Sequence, residues 1–169
     1  NSYYRVVVSS SGNGCTFITS NPATVTVVAD PIITTQPLDG AICVGNNYSF
    51  SVAATGDVSL GAVTYQWQIA NAIAGPFSNV VDGTGGTTAN YTTPIFNTIT
   101  SRYYRVSVKQ GTSGCETLSN TIVLSISAQP VKPIGSVTQQ PNCSIATGII
   151  TITSPAEGSG FEYSINGGL

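Results

Sequence analysis

The chain has 169 residues, enough for one domain or two, yet only 7% are charged, against about a quarter in an ordinary soluble domain. Ser, Thr, Asn and Gln therefore take the solvent-facing role. Seven acids against five bases leave a net charge of −2, too weak and scattered to track phosphates, so nucleic acid and anionic membrane surfaces are not expected partners. No apolar run approaches the roughly 18 residues of a helical membrane span, and direct membrane insertion is not expected either. Four cysteines without one histidine exclude the mixed Cys/His zinc sets, and no C-x-x-C spacing offers a redox dithiol. No metal or cofactor is expected, and the cysteines read as paired structural ones from an oxidising compartment.

The first strand pattern in the chain returns later. Tyr3, Tyr4, Arg5, Val6, Val8, Gly14 and Cys15 recur as Tyr103, Tyr104, Arg105, Val106, Val108, Gly114 and Cys115, at a constant offset of 100. After a one-residue deletion, Ser20-Asn21 recurs as Ser119-Asn120 and Ala29-Asp30-Pro31 as Ala128-Gln129-Pro130. Cys43 and Cys143 again lie 100 apart. Such a period suits an all-β sandwich and is far too long for a solenoid unit of about 20–50 residues. The expected organisation is three pieces of a tandem array: 1–29 as the last two strands of one domain, 30–128 as a complete domain, and 129–169 as the opening strands of a third. On this reading the chain is part of a longer polymer or of a much longer chain.

Within the complete domain, alternation predicts strands and no segment has a helical period. Tyr48, Phe50, Val52 and Ala54 alternate with Ser49, Ser51, Ala53 and Thr55, and Tyr65, Trp67 and Ile69 with Gln66 and Gln68. Further on, Tyr104, Val106 and Val108 face inward across Arg105 and Ser107, and Ile122, Leu124 and Ile126 across Val123 and Ser125. Leu38-Asp39-Gly40, Gly75-Pro76, Asp82-Gly83 and the 111–114 stretch mark the turns.

These residues resemble the immunoglobulin domain. Val52 and Trp67 stand fifteen apart, the spacing of the first core cysteine and the strand-C tryptophan, and Tyr104-Arg105-Val106 matches the Tyr-x-Cys of strand F. The resemblance implies antiparallel β-sandwiches in tandem, one complete and two partial. It also implies that valines replace the inter-sheet disulfide, that Trp67 packs on Val52 and Val106, and that the Tyr104 hydroxyl bonds back near the E–F corner. Thr100 and Arg102 stand where that corner has Asp and Gly.

A narrower pattern runs from Gln36-Pro37 and Cys43-x-Gly45 to Tyr65-Gln66-Trp67-Gln68, Tyr103-Tyr104-Arg105 and Gly114-Cys115. It is similar to the immunoglobulin-like repeats of very large surface proteins of Bacteroidota exported by the type 9 secretion system. The third piece, from Gln140-Pro141-x-Cys143 to Tyr163-Ser164-Ile165-Asn166-Gly167, resembles repeats of SprB-type gliding-motility adhesins. The likeness implies a stalk or repeat segment of a secreted adhesin or filament, extracellular and at the cell surface. Its partners would be neighbouring repeats of the same chain, with surface glycans or other envelope proteins beyond them. A carbohydrate-binding module and a non-catalytic spacer beside a secreted hydrolase are the alternatives.

Enzyme chemistry is not expected. Without histidine, no Ser-His-Asp or Cys-His pair exists in the chain. Lys109 and Lys132 are the only amines that could serve as a base, and no two of the seven acids lie within three positions. The run Asp82-Gly83-Thr84-Gly85-Gly86 has one carboxylate where a calcium loop needs several oxygens, and reads as a flexible connection before the next strand. Tyr103 and Arg105 point outward, where cross-strand pairing on a wet face competes with stacking on a sugar. The sequons at Asn47, Asn90 and Asn142 are expected by chance in so Asn-, Ser- and Thr-rich a chain.

Two pairings stay open for the cysteines. In an immunoglobulin topology Cys43, before strand B, and Cys115, after the F–G turn, fall at opposite ends, about 20–25 Å apart. An intradomain Cys43–Cys115 bond would need the F–G segment to fold far down the sandwich. The other pairing joins each of them to a cysteine of the adjoining domain outside this chain, clipping the joints. Cys15–Cys43 and Cys115–Cys143 would each span more than a domain length.

Overall fold

The computed structural model describes residues 1–9, 17–111, 113–155 and 163. Two compact units result, Asn1–Ile126 and Ser127–Leu169, and the first 29 residues fall in the first of them. The first unit opens with β1 (Ser2–Tyr4), β2 (Val7–Val8), β3 (Ile18–Thr19) and β4 (Ala23–Val25). There follow β5 (Ile32–Thr35), β6 (Gly40–Cys43), β7 (Ser49–Ser51), β8 (Ala53–Thr55), β9 (Val63–Ala70) and β10 (Ser78–Asn79). The sandwich is completed by β11 (Asn90–Thr92), β12 (Thr100–Gln110), β13 (Glu116–Leu118) and β14 (Ile122–Ser127). In the second unit β15 (Ile134–Gln139) pairs with β16 (Ile149–Ser154) in an antiparallel hairpin. Among the described residues the helical content is one 3₁₀ turn, Val58–Leu60.

One sheet runs in the order β10-β9-β12-β14-β6, with β13 also paired to β12; β5 pairs with β8 and β7 with β11 to form the other layer. Strands β7 and β8 are one stretch of chain interrupted at Val52, whose N–H donates to Ala89 O at 3.0 Å. The central strand β12, flanked by β9 and β14 and faced by β7 and β11, gives the strand order of an immunoglobulin-like sandwich. The fold is all-β, with antiparallel pairing of β7 with β11 and of β12 with β9, β13 and β14, as the alternation predicts.

The core follows from the register. Tyr104 sits opposite Ile69, Val106 opposite Trp67 and Val108 opposite Tyr65, so one face of β9 and β12 is apolar across these three pairs. Phe50, Val52, Trp67, Tyr91, Tyr104, Val106, Val108, Ile122, Leu124 and Ile126 close into one buried cluster. Trp67 is fully buried, and its Nε1–H donates to Thr88 O at 3.0 Å, so the one polar atom of the ring keeps a partner. At the far end of β12, buried Gln110 donates to Asp57 O and Gly61 O, each at 2.9 Å, and accepts from Asp57 N at 3.0 Å. A single amide thus pins the loop after β8.

The glycine-rich run before β11 is not the flexible connection its composition suggests. Thr84 and Thr92 exchange main-chain hydrogen bonds of 2.8 Å, and Gly86 O accepts from Trp67 N at 2.8 Å. Gly83 and Gly85 both have φ near +82°, and a Cβ on Gly85 would stand 2.1 Å from Asn90 O. The glycines permit close packing against the core strands rather than freedom.

The sequence repeat is also a repeat of hydrogen bonds. Ser2↔Val25, Tyr3↔Thr24 and Tyr4↔Ala23 in β1–β4 match Arg102↔Leu124, Tyr103↔Val123 and Tyr104↔Ile122 in β12–β14. Val7↔Thr19 and Val8↔Ile18 match Ser107↔Leu118 and Val108↔Thr117. Between the two pairings of each hairpin a serine hydroxyl takes the place of a ladder acceptor. Ser20 Oγ accepts from Val6 N at 3.0 Å and donates to Asn21 O at 2.9 Å, as Ser119 Oγ does with Val106 N and Asn120 O at 2.9 Å each. Tyr4, Val6 and Val8 are more than 60% exposed, whereas Tyr104, Val106 and Val108 are fully buried.

Trp67→Ala is expected to destabilise the first unit by about 3–5 kcal/mol in urea unfolding, in line with other buried aromatic truncations.

Candidate functional site

Four residues singled out from sequence, Val52, Trp67, Tyr104 and Val106, lie together in the core. The rings stacked on Trp67 are those of Phe50 and Tyr91, each with centroids 5.8 Å away at interplanar angles of 24° and 27°. Tyr104 lies against Phe50 at 5.0 Å and Tyr91 at 6.0 Å. Its hydroxyl has no hydrogen-bond partner among the described residues, which corrects the bond implied by the immunoglobulin likeness. The reason is local. β12 already begins at Thr100, and Arg102 Nη1 turns to Thr100 Oγ1 at 2.8 Å, so those two positions form strand instead of a corner. The tie to a loop is made by Tyr91 instead, whose hydroxyl donates to Asp82 O at 2.9 Å.

Among the described residues Cys43, Cys115 and Cys143 form no disulfide, and Cys15 lies outside them. Cys43 ends β6 near Phe96, where Gly45 N donates to Phe96 O at 2.7 Å, while Cys115 O accepts from Gln110 N at 3.1 Å at the other end of β12. Eleven residues of strand separate these ends, about 30 Å at roughly 3.3 Å per residue, far beyond the ~7 Å a disulfide spans. That distance is the obstacle to an intradomain Cys43–Cys115 bond. Cys115 Sγ lies 3.9 Å from Val28 O, and Thr117 Oγ1 donates to Pro31 O at 2.6 Å, so the segment leading into β5 is bound to the F–G hairpin.

The outward face of the larger sheet holds most of the polar chemistry. Arg105 Nε donates to Gln68 Oε1 at 2.7 Å with its guanidinium 4.2 Å above the Phe77 ring, and Gln68 Nε2 donates to Asn79 Oδ1 at 3.3 Å. One strand further, Lys109 faces Glu116 across the ladder, and the buried Ser107 hydroxyl donates to Glu116 Oε1. Gln66 Nε2 is held by Trp67 O at 2.9 Å. Gln66, Gln68, Asn79, Ser107, Lys109 and Glu116, together with Thr64 and Tyr65, line a shallow cavity of about 300 Å³. Sequence reasoning placed Gln66, Gln68, Arg105 and Ser107 outward but missed Asn79 and Glu116 as their companions. Among the described residues no cluster of His, Cys, Asp and Glu has the makings of a metal site, Asp82 included.

No family model matches the chain, and no curated protein matches it significantly. Among solved structures it is similar to a chimeric titin Z1Z2 carrying an exogenous decorin peptide, at 17% identity and TM-score 0.45, covering 69% of this chain and 56% of that one. Immunoglobulin domains 1–4 of Sidekick-1 match at 16% identity and TM-score 0.44, covering 83% and 36%. The Ig1-2 module of the Drosophila receptor protein tyrosine phosphatase DLAR matches at 20% and 0.40, covering 67% and 58%. The chain thus spans little more than half of the titin pair. The immunoglobulin-like assignment itself rests on the strand order described above.

Burial raises the Tyr91 hydroxyl to about 12, with the Asp82 charge adding to it. Burial raises Tyr104 further still, next to Tyr91, while Arg102 pulls the other way. Both folded values exceed the unfolded value near 10, so the folded state holds more protons above that pH. The contribution is fully present below pH ~10 and is lost as pH rises toward the folded values. Thermal melts between pH 8 and 12 are expected to show a flat region followed by a fall beginning near pH 10. Tyr104→Phe removes a buried hydroxyl that has no partner, and is expected to leave stability unchanged or raise it by up to about 1 kcal/mol in the same melts.

Proposed function

We propose that this chain is a non-catalytic, load-bearing segment of a tandem immunoglobulin-like array on the outside of a cell. The observation that carries this reading is the recurrence of one F–G hairpin with the same register and the same serine bridge. A chain that repeats the hydrogen bonds of a domain's closing strands about 100 residues apart is built from copies of one module. The joint supports a stiff connection. Pro31 is fully buried, and Thr117 holds its carbonyl immediately after the expected domain boundary. Low charge supports close packing of many such stalks, since neighbours hardly repel.

The finer reading is a repeat region of a large secreted adhesin, similar to those of Bacteroidota exported by the type 9 system and to SprB-type gliding adhesins. In that setting the array transmits force between the envelope and a distal contact, and its immediate partners are its own neighbouring repeats. Small-angle scattering of a recombinant protein with three complete repeats is expected to report a rod. A compact particle, or a broad spread of interdomain angles, counts against the stalk.

A further inference from the structure

We propose that the outward cleft on β9, β10, β12 and β13 is a binding site for an uncharged pyranose unit of a polysaccharide. The polar groups there are positioned before any ligand arrives. Gln66 and Gln68 each spend their Nε2 on a partner within the fold, Trp67 O and Asn79 Oδ1 respectively. Ser107 is buried at the floor with its hydroxyl on Glu116. The lining side chains also carry a complementary set of groups: Asn79 Nδ2 and the Lys109 ammonium as donors, Gln66 Oε1 and the second Glu116 oxygen as acceptors, on residues that are exposed or half-buried. Alternating donors and acceptors suit vicinal hydroxyls, each of which gives one hydrogen bond and takes others.

The same inventory disfavours other occupants. Within the lining one cation faces one anion, and the neighbouring Arg105 is already spent on Gln68 and the Phe77 ring, so little charge is left with which to hold a phosphate or a sulfate. The cleft lies on a sheet face, where main-chain groups are already paired, so an extended peptide cannot add as a strand. The lining lacks the apolar anchor pocket on which a protein hot spot depends. At about 300 Å³ the cavity stands at the small end of the range for ligand pockets, roughly 300–1,000 Å³.

The chain contains its own control for this face. In the first hairpin, at the positions of Ser107, Lys109 and Glu116, stand Val7, Ser9 and Phe17. The inward residues and the serine bridge are retained while the three cleft residues are not. The hairpin therefore forms without this polar set, and its presence in the second copy is not required by the framework.

Calorimetry and an oligosaccharide array with the whole 169-residue chain test the proposal, using neutral glucans, galactans and mannans beside uronic-acid and sulfated glycans. At least one neutral oligosaccharide is expected to bind, with affinity reduced roughly tenfold or more in Asn79→Ala and in Gln66→Ala. Asn79 lies on an exposed strand, so its variant is expected to keep the parent melting temperature. Failure to bind any neutral glycan, preference for acidic ones, or binding indifferent to both substitutions in variants that melt normally would overturn the proposal.

Discussion

Between the rings of Phe50 and Tyr91, each 5.8 Å away, the Trp67 indole fills the middle of the sandwich. It is the only tryptophan in the chain, and it sits at the centre of the buried apolar cluster that joins the two layers. The positions of an immunoglobulin inter-sheet disulfide are Val52 and Val106, and charge is too sparse for an ion-pair network. Cohesion between layers therefore rests on apolar contact, which is non-directional and tolerates no large void. Thr88 O, Gly86 O and Val80 N supply the direction by gripping the indole nitrogen and the main chain of the same residue. The loop before β11 is ordered because Trp67 needs those partners.

A core held this way leaves the outer faces free to vary. The two matching hairpins, β1–β4 with β2–β3 and β12 with β13 and β14, make the division visible inside one molecule. Tyr4, Val6 and Val8 repeat the inward set of Tyr104, Val106 and Val108 closely, while Val7 and Ser107 occupy the same ladder position with opposite chemistry. Framework is carried by one alternation of the strand and decoration by the other, so either can change without disturbing its counterpart.

Long alternations made the sheet with β9 and β12 legible from sequence. Tyr65, Trp67 and Ile69, with Tyr104, Val106 and Val108, leave no second reading of which face is inward. Tyr91 escaped because β11 is three residues long and Asn90-Tyr91-Thr92 reads first as a sequon. The Asp82–Gly86 loop was misread because glycine signals permission for unusual backbone, and only tertiary contact decides whether that permission is spent on motion or on close packing. Gln110 was invisible for a similar reason. Its three hydrogen bonds go to Asp57 and Gly61, some fifty positions away, and no local pattern announces them. The cleft was half legible: alternation puts Gln66, Gln68 and Arg105 outside, but Asn79 and Glu116 reach them only through strand pairing.

The serine bridge shared by the two hairpins has a consequence for assembly. Two hairpins with one register and nearly one inward face are interchangeable partners for any half-built sandwich of the same kind. In the proposed array, the closing hairpin of one module would compete during refolding for the open sheet of its neighbour, and the swapped product would satisfy the same ladder hydrogen bonds as the correct one. Equilibrium stability does not discriminate between these outcomes, because both bury the same residues. Order of emergence does. A module that closes before its successor is synthesised never meets the competing hairpin, so the proposed array would gain from folding vectorially, one domain after another.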